Sequence, residues 1–268
     1  MNKVILITGA SAGIGKETAK YLAEQGHTVY AAARRVEKMQ DLTKFGVKIL
    51  AMDVTDDVTM ISGVNEILKN ENRIDVLVNN AGYGSYGALE DVPISEAKHQ
   101  FEVNIFGLAR LTQLVLPQMR KQSSGTIINI SSMGGRFGEP HGAWYHASKF
   151  ALEGLSDSLR MELKQFGINV IVIQPGSINT EWIGIAQDNL LKTSGDSAYK
   201  KSAEAHDKFY ATVKGSHPIV IAKTIAKAIA ANRPKTRYAA GSMAKPLLFF
   251  RKIASDRIFD AIMMNNYK

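Results

Sequence analysis

The sequence predicts an α/β fold: a single doubly wound parallel sheet with helices on both faces and a helical lid over one edge. Three observations carry this reading. Short β-branched runs alternate with helix-length amphipathic stretches through the first 180 or so residues, the order expected where helical crossovers join parallel strands. Runs such as VILI, IINI and VIVI are apolar at every position, so both faces of those strands must be covered. No linker, repeat or low-complexity stretch breaks this part of the chain, which favours one domain.

The first strand, Val4 to Ile7, runs into TGASAGIG and then a helix from Lys16 to Gln25. Glycines at a strand-to-helix turn let the backbone approach a pyrophosphate, whose charge meets free N–H groups at the helix start. The spacing GxxxGxG differs by one step from the usual Rossmann-type fingerprint. It makes Gly9, Ser11, Gly13, Ile14 and Gly15 candidate cofactor contacts. The second strand, Thr28 to Ala33, ends in Arg34-Arg35. An acidic residue here would hold the ribose 2′-hydroxyl of NAD, whereas a guanidinium fork matches a 2′-phosphate. NADP is therefore expected over NAD, with Arg34 as a contact.

Further strands are expected at Lys48 to Met52, Val76 to Val78, Thr126 to Ile130 and Asn169 to Ile173, with long helices from Ser95 to Gln122 and Trp144 to Gln165. Residues 181–216 turn polar and helical, an insertion over the sheet edge, and a helix resumes from about Pro218 to Ala231. The expected division is a catalytic dinucleotide-binding domain over 1–242 and a C-terminal extension over 243–268.

The most chemically loaded stretch is Ser131-Ser132 at the end of the fifth strand, followed by YHASK at 145–149. Tyrosine and lysine four apart share one helical face. Tyr210 and Lys214 repeat that spacing, but they lie in the polar insertion with no serine-ended strand before them, so Tyr145 and Lys149 are the candidates.

With these pieces in order, the chain resembles the short-chain dehydrogenase/reductases, and the resemblance runs from Lys3 to about residue 240. It rests on TGASAGIG at 8–15, Asp53 in AMDVTD, NNAG at 79–82, Asn104 in FEVN, Ser132 in NISS, YHASK at 145–149 and PGSINT at 175–180. The spacing of Asn104 and Ser132 to Tyr145 resembles the ketosteroid and retinol dehydrogenase branch. The resemblance implies a catalytic tetrad of Asn104, Ser132, Tyr145 and Lys149 that passes hydride between nicotinamide and a carbonyl or secondary alcohol. An alkoxide develops in ketone reduction and needs a proton and hydrogen-bond donors. Tyr145 would give the proton, with its pKa lowered by the Lys149 ammonium. Ser132 would donate to the same oxygen, and Asn104 would hold a water that relays protons to Lys149. The resemblance also implies that Asp53 bonds the adenine amino group, although a helix-capping role is open to it. By the same resemblance Asn80 lies beneath the adenosine ribose, Tyr145 and Lys149 hold the nicotinamide ribose, and Ile178 and Thr180 bind the carboxamide end.

The substrate is expected to be a small hydrophobic ketone or alcohol, because Trp182, Ile183, Ile185, Leu190 and Leu191 follow PGSINT and could cap the nicotinamide site. His141, in GEPHGAW, is a candidate substrate contact, while His146 reads as an outward-facing helix residue. Six histidines without paired spacing and no clustered carboxylates give no reason to expect a metal. The absence of cysteine removes thiol catalysis and disulfides and fits a reducing, cytoplasmic setting. The start, MNKVILITGA, reads as a strand and not as a signal peptide.

The net charge of +8 is uneven: from Arg233 onward there are eight basic and two acidic side chains, leaving a nearly neutral body. With the apolar residues among them, these charges read as one or two amphipathic helices that either cover the substrate cleft or make weak contact with an anionic membrane surface. The tail has no zinc, helix-turn-helix or aromatic RNA-binding pattern, so nucleic acid is not an expected partner. A homodimer or homotetramer is implied by the resemblance. The alternative from another class is a non-enzymatic NADP-sensing regulator on the same fold, against which the retained tetrad speaks.

Overall fold

The structure, a computed structural model, describes residues 2–265 and 267. Seven strands, β1 (Val4–Thr8), β2 (Thr28–Ala33), β3 (Lys48–Ala51), β4 (Val76–Asn79), β5 (Gly125–Ile130), β6 (Ile168–Pro175) and β7 (Arg237–Ala240), form a sheet in the order β3-β2-β1-β4-β5-β6-β7. Every pairing is parallel. The helices are α1 (Gly13–Glu24), α2 (Asp57–Glu71), α3 (Ile94–Phe101), α4 (Leu108–Lys121), α5 (Ala143–Leu163), α6 (Glu181–Ser194), α7 (Lys200–Thr212), α8 (Ile219–Ala230), α9 (Ala244–Ile253) and α10 (Asp256–Asn265).

Two cores lie on the two faces of the sheet, sorted by the period-2 alternation of the strands. Ile5, Ile7, Val29, Val76, Val78, Ile171 and Ile173 pack with Leu22 of α1 and with Ile221 and Ile225 of α8. Val4, Leu6, Tyr30, Leu77, Ile127 and Val170 point the other way, onto Val64 and Ile67 of α2 and Leu111, Val115 and Met119 of α4. The chain builds outward from β1 to β3 and then from β4 to β7. A crevice therefore opens beyond the strand ends where the order reverses, between β1 and β4.

Two features differ from the sequence reading. β7, with the sequence RYAA, is a seventh strand that no apolar run announces, because all four of its residues are only half-buried at the sheet edge. The expected continuous helix from Ser95 to Gln122 is broken by a π-helical segment, Glu102–Gly107, between α3 and α4. The polar insertion is helical as expected and consists of two helices, α6 and α7.

The C-terminal tail forms two helices. Phe259 and Met263 of α10 are buried against Phe137 in the loop after β5, with Leu247 and Phe250 of α9 beside them. Tyr267 stacks on His206 of α7 at 4.8 Å. The inner face of the tail thus packs behind Phe137 and His206, while Phe249, Ile253, Ile258 and Ile262 stay exposed on the outer face. Among the described residues no helix is long and apolar enough to cross a membrane.

Candidate active site

A cavity of about 540 Å³ runs along the crevice from the glycine turn after β1 to the lid helices, and its wall includes Gly9, Arg34, Asp53, Asn80, Ser132, Tyr145, Lys149, Ile178, Thr180 and Trp182. Its size is typical of small-molecule and cofactor sites.

At the β1 end the turn requires its glycines. Gly9 has φ +65°, and a Cβ there would stand 2.8 Å from the Ala81 backbone. Gly15 does not line the cavity: a Cβ on it would meet Asn80 Nδ2 and Gly9 O, each at 2.5 Å, so it serves close packing of α1. Ala12 precedes α1 and offers no side-chain cap, and the first turn holds no acidic residue. The leading N–H groups are therefore open to an anion. By contrast, the Asp56 carboxylate caps α2 and the Thr180 hydroxyl caps α6.

The end of β2 carries both arginines. The Arg34 side chain is 70% exposed and lies 3.9 Å from Asp53. Arg35 donates to Ser11 Oγ at 3.2 Å and pairs with Glu181 at the start of α6. Arg35 is therefore as well placed as Arg34 to meet a 2′-phosphate beside Ser11. The helix-capping alternative for Asp53 is corrected, since Asp56 fills that place. Asp53 instead accepts from the backbone and hydroxyl of Thr55, at 2.9 and 2.8 Å, while lining the cavity. Asn80 donates to Thr8 O and Gly9 O, tying β4 to the turn. The hydroxyls of Ser131 and Ser177, both on the wall, are buried with no partner among the described residues. An uncapped helix start, a basic end of β2 and orphaned hydroxyls together form a donor set that fits a phosphorylated dinucleotide.

Helix α5 positions the candidate tyrosine–lysine pair. Tyr145 and Lys149 are both buried. The Lys149 ammonium donates to Ile130 O at 2.9 Å and lies 5.9 Å from the Tyr145 ring centroid. Ser132 caps a short 3-10 turn, accepting from Gly134 N at 3.0 Å. Burial pushes the Tyr145 phenol up to about 12, with Ser132 beside it pulling down and the charge of Glu139 adding to the rise. Burial also brings Lys149 down to about 8, opposed by Glu153. The expected lowering of Tyr145 by Lys149 is therefore not found. Desolvation dominates both groups, and the ammonium gives one of its N–H bonds to Ile130 O.

Asn104 lies in the π-helical segment. Its amide accepts from Tyr83 N and donates to Tyr83 O and Ser148 Oγ, at 3.0 to 3.1 Å. Gly82 keeps the space beside it open, since a Cβ there would stand 3.0 Å from Asn104 Oδ1 and 3.8 Å from Lys149 Nζ.

At the lid end of the cavity, Trp182 lies 5.1 Å from Tyr145 and edge-on to Tyr86 at 5.9 Å. Gly84 makes room for it, as a Cβ there would be 2.6 Å from the indole. Ile183 and Ile185 also face the cavity. Leu190 is instead packed with Tyr86 and Ala203, and Leu191 is solvent-exposed.

The two histidine readings are exchanged. His141, with φ +62°, turns away from the cavity wall and packs edge-on against His206 and Tyr199 under the lid. His146 is buried on the wall, its Nδ1 2.8 Å from Gly134 O and its ring seated between Gly134 and Gly142. Tyr210 also lines the cavity and donates to Glu139 at 2.5 Å. Glu139 and Tyr86 are further wall residues that no sequence motif marks. Among the described residues no cluster of side chains could hold a metal ion.

Residues 3–189 match a family model described as short chain dehydrogenase. The chain is 38% identical over 253 residues to a 3-ketodihydrosphingosine reductase of Bacteroides thetaiotaomicron, covering 91% of this chain and 90% of that protein. A crystal structure of a short-chain dehydrogenase from Streptomyces avermitilis superposes with a TM-score of 0.82 at 31% identity, covering 99% of this chain and 94% of that one. The closed form of a serine dehydrogenase complexed with NADP+ superposes with a TM-score of 0.78 at 25% identity, covering 90% and 96%.

Proposed function

Because the chain belongs to the short-chain dehydrogenase/reductase family, we propose that it is an NADP-dependent enzyme that reduces the carbonyl group of a hydrophobic substrate. One observation carries this reading: Tyr145, Lys149 and Ser132 meet on the wall of a single cavity, between an uncapped helix start and the aromatic patch of Tyr86 and Trp182.

Bound NADPH supplies the hydride. The glycine turn and the start of α1 would hold its pyrophosphate, Arg34 and Arg35 with Ser11 its 2′-phosphate, and Asp53 and Asn80 its adenosine. Ile178 and Thr180 would hold the carboxamide end. At neutral pH Tyr145, at about 12, keeps its proton, so its Oη has one to give as negative charge develops on the carbonyl oxygen. Ser132 donates to the same oxygen. Lys149, charged below about 8, offsets the charge left on the phenol. Asn104 fixes the backbone at Tyr83, and the opening at Gly82 supports a water between it and Lys149. Trp182, Ile183 and Ile185 exclude solvent from the reacting oxygen.

The similarity to a ketodihydrosphingosine reductase and the apolar lid support a hydrophobic ketone, and the NADP-complexed neighbour supports the cofactor. The cysteine-free composition supports a cytoplasmic setting. Exposed Phe106, in the π-helical segment that leads into α4, and Phe150 and Met161 on α5 support association with a second copy through that part of the surface. The test is catalytic efficiency with NADPH and NADH across aliphatic ketones, steroids, retinoids and sugars. A clear NADPH preference on the apolar ketones is expected. Equal use of both cofactors would overturn the NADP assignment, and turnover of sugars alone would overturn the hydrophobic one.

The outer face of α9 and α10 adds exposed Lys245, Lys252 and Arg257 to its apolar residues, a combination suited to weak contact with anionic lipid. Sedimentation with phosphatidylserine vesicles but not with neutral ones is expected, and lost on replacing Phe249 and Ile253 with Ser. No sedimentation with either vesicle overturns this contact.

A further inference from the structure

The substrate end of the cavity holds one acidic side chain whose use the proposed chemistry leaves open. Glu139 lies in the loop between β5 and α5 and lines the cavity together with Tyr86, Tyr145, Trp182 and Tyr210. Its Oε2 accepts from Tyr210 Oη at 2.5 Å. Among the described residues no donor reaches Oε1, and no basic side chain pairs with this carboxylate. The other acids of the wall, Asp53 and Glu181, stand near the arginines at the opposite end. Lys149 faces Ile130 O. The negative charge of Glu139 is felt by the surrounding phenols, raising the pKa of Tyr86, Tyr145, Tyr210 and Tyr267 alike, in each case behind the larger effect of burial.

A carboxylate with one oxygen open, set among aromatic rings, is the chemistry that recognises an alkylammonium group. The oxygen accepts charge-assisted N–H bonds and the ring faces attract the cation. A carboxylate ligand would meet repulsion there, and a plain hydrocarbon lying over Oε1 would take it out of water without supplying a donor. Resting on the reductase reading above, we propose that Glu139 is a specificity-determining residue that selects apolar carbonyl substrates bearing a primary amine. Tyr210 orients the carboxylate, leaving Oε1 for the ammonium.

The test uses dead-end ligands that cannot be reduced. Binding of octylamine, octanol and octanoate to the NADP+-saturated protein is measured by titration calorimetry at neutral pH. The expected order is octylamine tightest and octanoate weakest, with octylamine ahead of octanol by about tenfold, as for one hydrogen bond to a charged group. This order in the native protein needs no variant. E139Q is expected to weaken octylamine by about tenfold and to relieve the rejection of octanoate. Y210F keeps the charge and should keep the order. Equal affinity for octylamine and octanol, or an E139Q protein that still prefers the amine by the native margin, would overturn the assignment. NADPH consumption with straight-chain ketones reports separately on the reductase reading. If no ketone is turned over, that reading fails and takes this inference with it, whereas turnover with no amine preference defeats this inference alone.

Discussion

Replacing Glu153 with Gln should move the pH profile of ketone reduction without altering any residue of the cavity wall. Glu153 is buried one turn beyond Lys149 on α5. Its Oε1 accepts from Gln174 at 2.9 Å and its Oε2 from Arg237 at 2.8 Å. Burial brings Lys149 down to about 8 and the charge of Glu153 opposes it, whereas Tyr145 sits at about 12. As pH rises, the ammonium therefore loses its proton before the phenol, and activity should decline through about pH 8. Without the Glu153 charge, burial acts less opposed, so Lys149 deprotonates at lower pH and the decline moves to the acid side. A charge in direct contact shifts a pKa by roughly 1 to 3 units. Glu153 is a turn away and shares its charge with Arg237, so about 0.5 to 1 unit is expected. The variant keeps an acceptor for Gln174 but loses the Arg237 ion pair. Arg237 retains Asp157 at 2.8 Å, which limits the stability loss to about 1 to 3 kcal/mol. The assay is kcat/KM for NADPH-driven reduction from pH 6 to 10, with urea unfolding as the control for stability. A descending limb that stays in place or moves to higher pH would show that Lys149, held by Glu153, does not set it.

Two further predictions follow from the same geometry. Ser132→Ala should lower kcat by roughly 10²- to 10³-fold, as expected for loss of one oxyanion donor, while removal of its bond to Gly134 N costs about 1 kcal/mol of stability. A loss of less than tenfold in steady-state assays would remove Ser132 from the reaction. His206 is held down to about 3 by burial, with the charges of His141 and His146 contributing. Between about 3 and the ordinary 6.5, the unfolded chain binds a proton that the folded protein does not, so this residue's contribution to stability falls as pH falls, by up to about 1.4 kcal/mol per unit. Urea unfolding at pH 7 and pH 5 should show a smaller acid loss in His206→Phe by about 1 to 2 kcal/mol, and an unchanged loss would contradict the assignment.

The sheet was legible wherever both faces of a strand are covered, since VILI and VIVI permit no other placement. β7 escaped because an edge strand with half-buried positions needs no apolar run. The glycine turn, Ser132 and the Tyr145–Lys149 pair sit on local elements, so spacing alone brings them to one place. His141 and His146 were exchanged because their settings depend on non-local packing. A left-handed backbone at His141 turns it beneath α7, and two glycines outside the helix make the pocket that receives His146. Glu139 and Tyr210 are 71 residues apart, and only the folding of α7 over the β5–α5 loop joins them. The Tyr145 pKa went the other way from the expectation because the pairing with Lys149 is visible in sequence, whereas the depth of burial that outweighs it is not.

Tyr145 as the proton donor is tested by the single-turnover rate of ketone reduction by Tyr145→Phe with saturating NADPH. The substitution removes the Oη proton and keeps the ring that packs on Tyr86 and Trp182, so NADPH binding, followed by fluorescence, should persist. The expected outcome is a fall of about 10²- to 10⁴-fold in rate, the range for loss of a positioned general acid. A variant that binds NADPH and reduces the same ketones within tenfold of the native rate would contradict it.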